Sequence, residues 1–255
     1  MQLHTIRHGP EPARFVLVHG LASNARMWDG VGAALAARGI GSVAVDLRGH
    51  GLSPKPDDGY DFATVSADLV PLLVERPIVA GQSYGGNVVV ALAARHPELV
   101  SGIACVDGGA IDARARFASI EECLDAMKPP YHLFEGVAPD VTEARLRQAH
   151  PDGPETWIQG AMACFEVVDG GIRSRLTWAR HAQIVEAMWD EPPTPLFPSI
   201  KVPVLFITAT ERMRAGVEAA LEVLPDGRAI WFEGAHHDVH AQRPDDVADA
   251  LTTML

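Results

Sequence analysis

The stretch PIVAGQSYGGNVVVALAARHP, residues 77–97, decides the fold. Its first five residues, 77–81, are apolar without alternation, the pattern of a strand buried on both faces. From Tyr84 onward the apolar positions take helical spacing until Pro97 stops them. Between the two lies Gly81-Gln82-Ser83-Tyr84-Gly85, which matches G-x-S-x-G in the strand–turn–helix context that motif requires. So sharp a turn strains the serine backbone and demands small neighbours, which Gly81, Gly85 and Gly86 supply. It would hold Ser83 Oγ clear of the sheet at a helix N-terminus, where the helix dipole and free N–H groups favour developing negative charge. The plain alternative is a glycine-rich turn with an incidental serine.

The same alternation extends outward. FVLV (15–18), SVAVD (42–46), LVSGIACVD (99–107), VPVLFIT (202–208) and AIWFE (229–233) are apolar strand candidates. MWDGVGAALAAR (27–38), TVSADLVPLLVE (64–75, with Pro71 inside it), VEAALEVL (217–224) and DDVADALTTML (245–255) have helical spacing. Apolar strands separated by helices predict an α/β fold with a mostly parallel sheet covered on both faces. Residues 109–197 break the rhythm and carry Trp157, Trp178 and Trp189. They run into the proline-rich EPPTPLFPSI (191–200), which reads as a tether and not as a helix or central strand. The expected organisation is a core of residues 1–108 and 198–255 with a mostly helical insertion at 109–197.

Composition narrows the function. The chain has 255 residues, 47% of them hydrophobic, enough for a sizeable core. It carries 33 acidic against 21 basic residues, net −12, without a basic cluster, so nucleic acid is not an expected partner. Three widely spaced cysteines, Cys105, Cys123 and Cys164, suggest packing and neither a disulfide framework nor a zinc site. No apolar run has the length of a membrane span and no signal-peptide pattern opens the chain, so the expected setting is cytoplasmic, with no membrane partner. Oligomeric state is not legible.

Three further segments, together with GQSYGG, resemble the α/β-hydrolase family. FVLVHGLASNARMW (15–28) is similar to the family's first core strand and oxyanion loop. VAVDLRGHGLS (43–53) resembles its Asp-x-Arg-Gly-x-Gly-x-Ser loop, and EGAHHDVHAQRPDDVADAL (233–251) its histidine loop and last helix. The resemblance implies an α/β-hydrolase fold whose helical cap is inserted after the strand ending near Asp107. It implies Ser83 as nucleophile, the backbone N–H groups of Leu21 and Tyr84 as oxyanion donors with their side chains as pocket walls, and His19 as a structural brace. It places the base at His237, with His236 the runner-up. A metal site built from His236 and His240 is the other reading of HHDVH, but the spacing does not match H-E-x-x-H and no third ligand is evident.

The acid is less direct. Many relatives carry it just after the strand that here is VPVLFIT, where Arg212 takes the usual aspartate position and Glu211 stands one residue short. Some relatives carry it after the strand preceding the cap, where this sequence has Asp107. Asp107 is the expected acid, with Glu211 the alternative. The resemblance then implies a cofactor-free, metal-free serine hydrolase that cleaves a carboxylic ester or lactone of a small hydrophobic molecule through an acyl-enzyme. The aromatic side chains Trp157, Trp178, Trp189, Tyr131 and Phe134 are the expected substrate-binding residues. The open alternatives are a C–C hydrolase or perhydrolase on the same triad, and a ligand-binding receptor of slow turnover.

Overall fold

The computed structural model describes residues 1–130 and 133–255. The first part of the chain lays down β1 (Thr5–His8), β2 (Phe15–Val18), α1 (Asp29–Ala37), β3 (Ser42–Val45), α2 (Phe62–Leu69), β4 (Ile78–Gln82), α3 (Tyr84–Arg95) and β5 (Gly102–Val106). The chain then leaves the sheet through α4 (Ala113–Arg116), α5 (Ile120–Ala126), α6 (Pro139–Ala149), α7 (Glu155–Met162), the hairpin β6 (Phe165–Val168) and β7 (Gly171–Ser174), and α8 (Trp178–Asp190). It returns as β8 (Val204–Thr208), α9 (Arg214–Val223), β9 (Gly227–Trp231), α10 (Val239–Gln242) and α11 (Pro244–Thr252).

The main sheet has the order β1-β3-β2-β4-β5-β8-β9, parallel except for the antiparallel edge strand β1. Its strands alternate between two cores. Val16, Val18, Val79, Ile103 and Phe206 face a layer that includes α2, α3 and α9, while Phe15, Leu17, Ala80, Val106 and Ile207 face α1 and α11. Successive strand residues point to opposite faces, so burial on both sides requires the unbroken apolar runs seen in the sequence. Truncating a fully buried member such as Leu17 or Phe206 to alanine would cost about 2–5 kcal/mol.

Pairing continues past the strand ends and sets the heights of the connecting turns. Gln82 pairs with Val106, and Val106 with Ile207. Beyond them, the Ser83 N–H donates to the Val106 carbonyl at 3.0 Å and the Asp107 N–H to the Ile207 carbonyl at 2.7 Å. The turns after β4, β5, β8 and β9 therefore open side by side along one edge of the sheet, the edge where parallel α/β sheets form their sites.

Several elements differ from the sequence expectation for physical reasons. Helix 64–75 ends early at Leu69 and continues only as a 3-10 turn over Val70–Leu72, because Pro71 has no N–H to offer. β1 went unpredicted because, as an edge strand, it is only half-buried and lacks an apolar run. Residues 109–197 contain a hairpin as well as helices, with Asp169 and Gly170 both at positive φ in its two-residue turn, the conformation that Asp-Gly favours. The proline-rich tether forms a 3-10 segment over Thr194–Ser199 and buries Phe197. Among the described residues no helix is long and apolar enough to cross a membrane.

Candidate active site

Ser83 sits at φ 52°, ψ −121°, a conformation costly for a residue with a side chain. The surroundings enforce it. A Cβ on Gly81 would strike the Gly85 carbonyl, and one on Gly108 would lie 2.6 Å from Ser83 Cα. With no room on either side, the chain turns sharply out of β4 and enters α3 at Tyr84.

Ser83 Oγ lies 2.9 Å from His237 Nε2, and His237 Nδ1 lies 2.6 Å from Asp107 Oδ2. An ionised carboxylate only accepts, so the imidazole proton belongs on Nδ1, and Nε2 is left to accept from the serine hydroxyl. The backbone of the histidine loop is held from below, where Gln82 Nε2 donates to the His237 carbonyl at 3.2 Å. Gln82 is a variable position of the serine motif, and nothing in the sequence singled it out.

Asp107 is fully buried and also at positive φ, 42°. Its Oδ1 accepts from the N–H groups of Ala209 and Thr210, each at 2.9 Å, and the Thr210 hydroxyl reaches both carboxylate oxygens. Burial pushes the carboxyl upward, but the His237 ring and the donors of Ala209 and Thr210 together hold it below the usual carboxylate range. Glu211, the alternative acid, does not reach the imidazole. Its exposed carboxylate pairs with Arg214 Nε at 2.9 Å, because the 3-10 turn Glu211–Met213 directs it along the surface. His236, the runner-up base, is exposed, and its N–H is taken by Gln242 Oε1 at 2.8 Å. His240 is fully buried, 4.6 Å from the Trp28 ring.

The Tyr84 N–H opens α3 and has no carbonyl one turn earlier to bond. Across the serine lies Leu21, whose N–H finds no backbone acceptor among the described residues. Two neutral histidines shape that loop. His19 Nε2 accepts from the Leu47 N–H at 3.0 Å, and its Nδ1–H donates to the Gly20 carbonyl at 2.7 Å. His50 Nε2 accepts from the Ala22 N–H at 3.2 Å, and its Nδ1–H donates to the Arg48 carbonyl at 2.9 Å. Burial lowers the pKa of His19 and, more strongly, that of His50, so both stay uncharged. His50 escaped the sequence reading, although it lies inside the quoted Asp-x-Arg-Gly loop.

A cavity of about 200 Å³ adjoins Ser83 and His237, walled by Leu21, Met27, Trp157, Ala161 and Cys164. Trp157 is the expected substrate-binding residue found there. The others lie elsewhere: Trp178 stacks on His181, Trp189 packs under the Arg114 guanidinium, and Phe134 meets Phe165 edge-on. None of these three lines the serine cavity, and Trp189 instead joins an apolar cluster with Cys123, Val185 and Leu21. Tyr131 lies outside the described residues. The Tyr84 ring is no pocket wall either; it is buried against Phe62 at 5.6 Å. Met27 and Cys164 were missed. Burial pushes the Cys164 thiol up to about 12, so it packs as a neutral group. Asn24 ties the loop to this wall, donating to the Gly160 carbonyl at 2.7 Å and to Cys164 Sγ at 3.1 Å.

The sequence model of the alpha/beta hydrolase family matches residues 15–250. The chain belongs to that family. A curated relative, 2-(acetamidomethylene)succinate hydrolase of Mesorhizobium japonicum, is 28% identical over 93% of this chain and 86% of its own length. Esterase YbfF of Escherichia coli is 28% identical over 98% of this chain and 94% of its own. Among solved structures, E-2-(acetamidomethylene)succinate hydrolase superposes with a TM-score of 0.80 at 26% identity, covering 99% of this chain and 94% of that one. The enol-lactonase of Burkholderia xenovorans shares the fold, with a TM-score of 0.71 at 23% identity over 99% of this chain and 95% of its own.

Proposed function

We propose that the protein is a serine hydrolase that cleaves a carboxylic ester or lactone carrying a small, uncharged, apolar acyl group, through an acyl-enzyme. The observation that carries this reading is the relay of 2.9 Å and 2.6 Å from Ser83 through His237 to Asp107, opening on a cavity of about 200 Å³. In this reading Ser83 Oγ attacks the carbonyl carbon as His237 Nε2 takes its proton. The oxyanion forms between the N–H groups of Leu21 and Tyr84, fixed donors of a kind worth about 3–4 kcal/mol each in related chemistry. His237 then protonates the departing oxygen, and the C–O bond breaks. Water, deprotonated by the same nitrogen, releases the acid. Asp107 stabilises the imidazolium throughout. No step calls on a metal or cofactor.

The acyl preference follows from the wall. Among the described residues no Lys or Arg lines this cavity, and its one carboxylate, Asp238, disfavours an anion. One relative's name carries a succinate, a dicarboxylate whose charges would find no partner on this wall. A neutral acyl chain against Leu21, Met27 and Ala161 suits it better.

The test is a fluorophosphonate probe with and without Ser83→Ala, followed by p-nitrophenyl esters, lactones, a 1,3-diketone and an acylaminomethylene succinate. The reading expects labelling that depends on Ser83 and the highest kcat/KM for short neutral acyl esters or lactones. Preference for the dicarboxylate or the diketone would overturn it.

A further inference from the structure

A second, larger cavity also borders Trp157. Its volume is about 490 Å³, and it shares Trp157, His237 and Asp238 with the smaller one. Its outer wall is the turn between α6 and α7, where the His150 ring lies 4.3 Å from that of Trp157 and Asp152 stands exposed. Two of the shared residues are joined by a hydrogen bond, 3.3 Å from Trp157 Nε1 to Asp238 Oδ2. Two cavities thus meet at the imidazole and share Trp157 and Asp238; the smaller contains Ser83 with Leu21, Met27 and Ala161, and the larger adds the carboxylate of Asp152.

We propose that the outer cavity takes the leaving-group half of the substrate and favours a cationic alcohol or thiol. The inference rests on the serine-hydrolase reading. The leaving oxygen or sulfur must receive its proton from His237 Nε2, so that half of the substrate has to depart along a wall containing His237. The outer cavity opens from that wall and is the roomier of the two. Its charge then selects the occupant. Asp152 and Asp238 attract a cation, the part of the Trp157 ring left open beside His150 can contact one, and among the described residues no Lys or Arg lines the cavity to oppose it. In acylation the Ser83 Oγ–C bond forms, the bond from carbonyl carbon to leaving group breaks, and the serine proton leaves with the cationic alcohol or thiol by way of His237.

The experiment compares two thioesters of one short acyl group, the thiocholine ester and its uncharged 3,3-dimethylbutyl isostere, with fluorophosphonate labelling of Ser83 run in parallel. The expected result is a kcat/KM ratio of about three to ten in favour of the cation, the range of a partly exposed cation–π contact with carboxylate support. Asp152→Lys should bring that ratio to about one or below. Trp157→Leu should lower it as well. A wild-type ratio of one overturns the proposal. So does a ratio that Asp152→Lys leaves in place, or an Asp152→Lys effect that follows acyl length instead of leaving-group charge. If Ser83 fails to label, the hydrolase reading falls and takes this proposal with it. Normal labelling and turnover without charge preference removes this proposal alone.

Discussion

Thr210 spans the carboxylate of Asp107. Its hydroxyl is 3.1 Å from Oδ1 and 2.8 Å from Oδ2, while its N–H donates to Oδ1 at 2.9 Å. The turn after β8, which lacks an aspartate of its own, thus cradles the carboxylate of the residue that follows β5. Thr210→Val keeps the shape and the N–H but deletes the hydroxyl. Turnover should fall about 10-fold with KM little changed, on the scale of one hydrogen bond to a charged group. Thr210→Ser should restore most of it, and steady-state kinetics on a p-nitrophenyl ester checks both.

In the proposed mechanism Asp107→Asn removes the charge that stabilises the imidazolium, and it offers Nδ1 a donor in place of an acceptor. The expected loss in kcat is about 10³–10⁴-fold, with the fold retained by circular dichroism. Glu211→Gln breaks only an exposed pair with Arg214 and should keep activity within about two-fold. The opposite ranking would move the acid to the turn after β8.

His50 acts at one remove, through the Ala22 N–H. Ala22 is at φ 56°, a conformation its own side chain disfavours, so its loop relies on that bond. His50→Phe should lower kcat about 10-fold, less than outright loss of an oxyanion donor, and slow phosphonate labelling in parallel. Rescue by His50→Gln, whose side-chain oxygen can accept the same N–H, separates loop positioning from general destabilisation.

Stability should fall on the acid side well before the carboxylates protonate. Burial lowers His181 and His240 to about 4, against roughly 6.5 for an unfolded histidine. Between those values the unfolded chain binds protons that the folded chain does not, so each histidine costs about 1.4 kcal/mol per pH unit as pH falls. The contribution of Asp107 has the opposite origin. Its lowered pKa stabilises the fold above roughly pH 3.9 and is lost only below that. Urea melts from pH 7 to 4 should show the slope, and His240→Phe, beside Trp28, should flatten it by about one histidine's share.

The sheet was legible because a strand buried on both faces has to be apolar throughout, as FVLV and GIACV are. The serine turn was legible because its geometry leaves room only for glycine around it. Asp107 emerged from a gap, since Arg212 stands where an acid was expected. What escaped depends on distant contacts. Nothing local to Trp178 or Trp189 says which surface each will cover, and one tryptophan in three came to the serine. The hairpin was marked in sequence by Asp169-Gly170, but β6 and β7 are short and partly exposed and lack the strong patterns that announced the core strands. His50 and Thr210 act through neighbours' backbone groups, which a sequence does not display.

Asp107 is also the last residue before the chain leaves the sheet. By that point the proposed nucleophile, acid and both oxyanion N–H groups are already in place, and only the imidazole arrives afterwards. The intervening helices and hairpin pack Ile111, Leu176, Ile184 and Met188 into the main core and are tied back by the Arg95–Glu191 and Arg180–Asp57 pairs, after which the turns beyond β8 and β9 bring Thr210 to the carboxylate and His237 to the serine. The wall of the serine cavity is therefore shared, with Leu21 and Met27 coming from before the excursion and Trp157, Ala161 and Cys164 from within it, and Asn24 bonds the two.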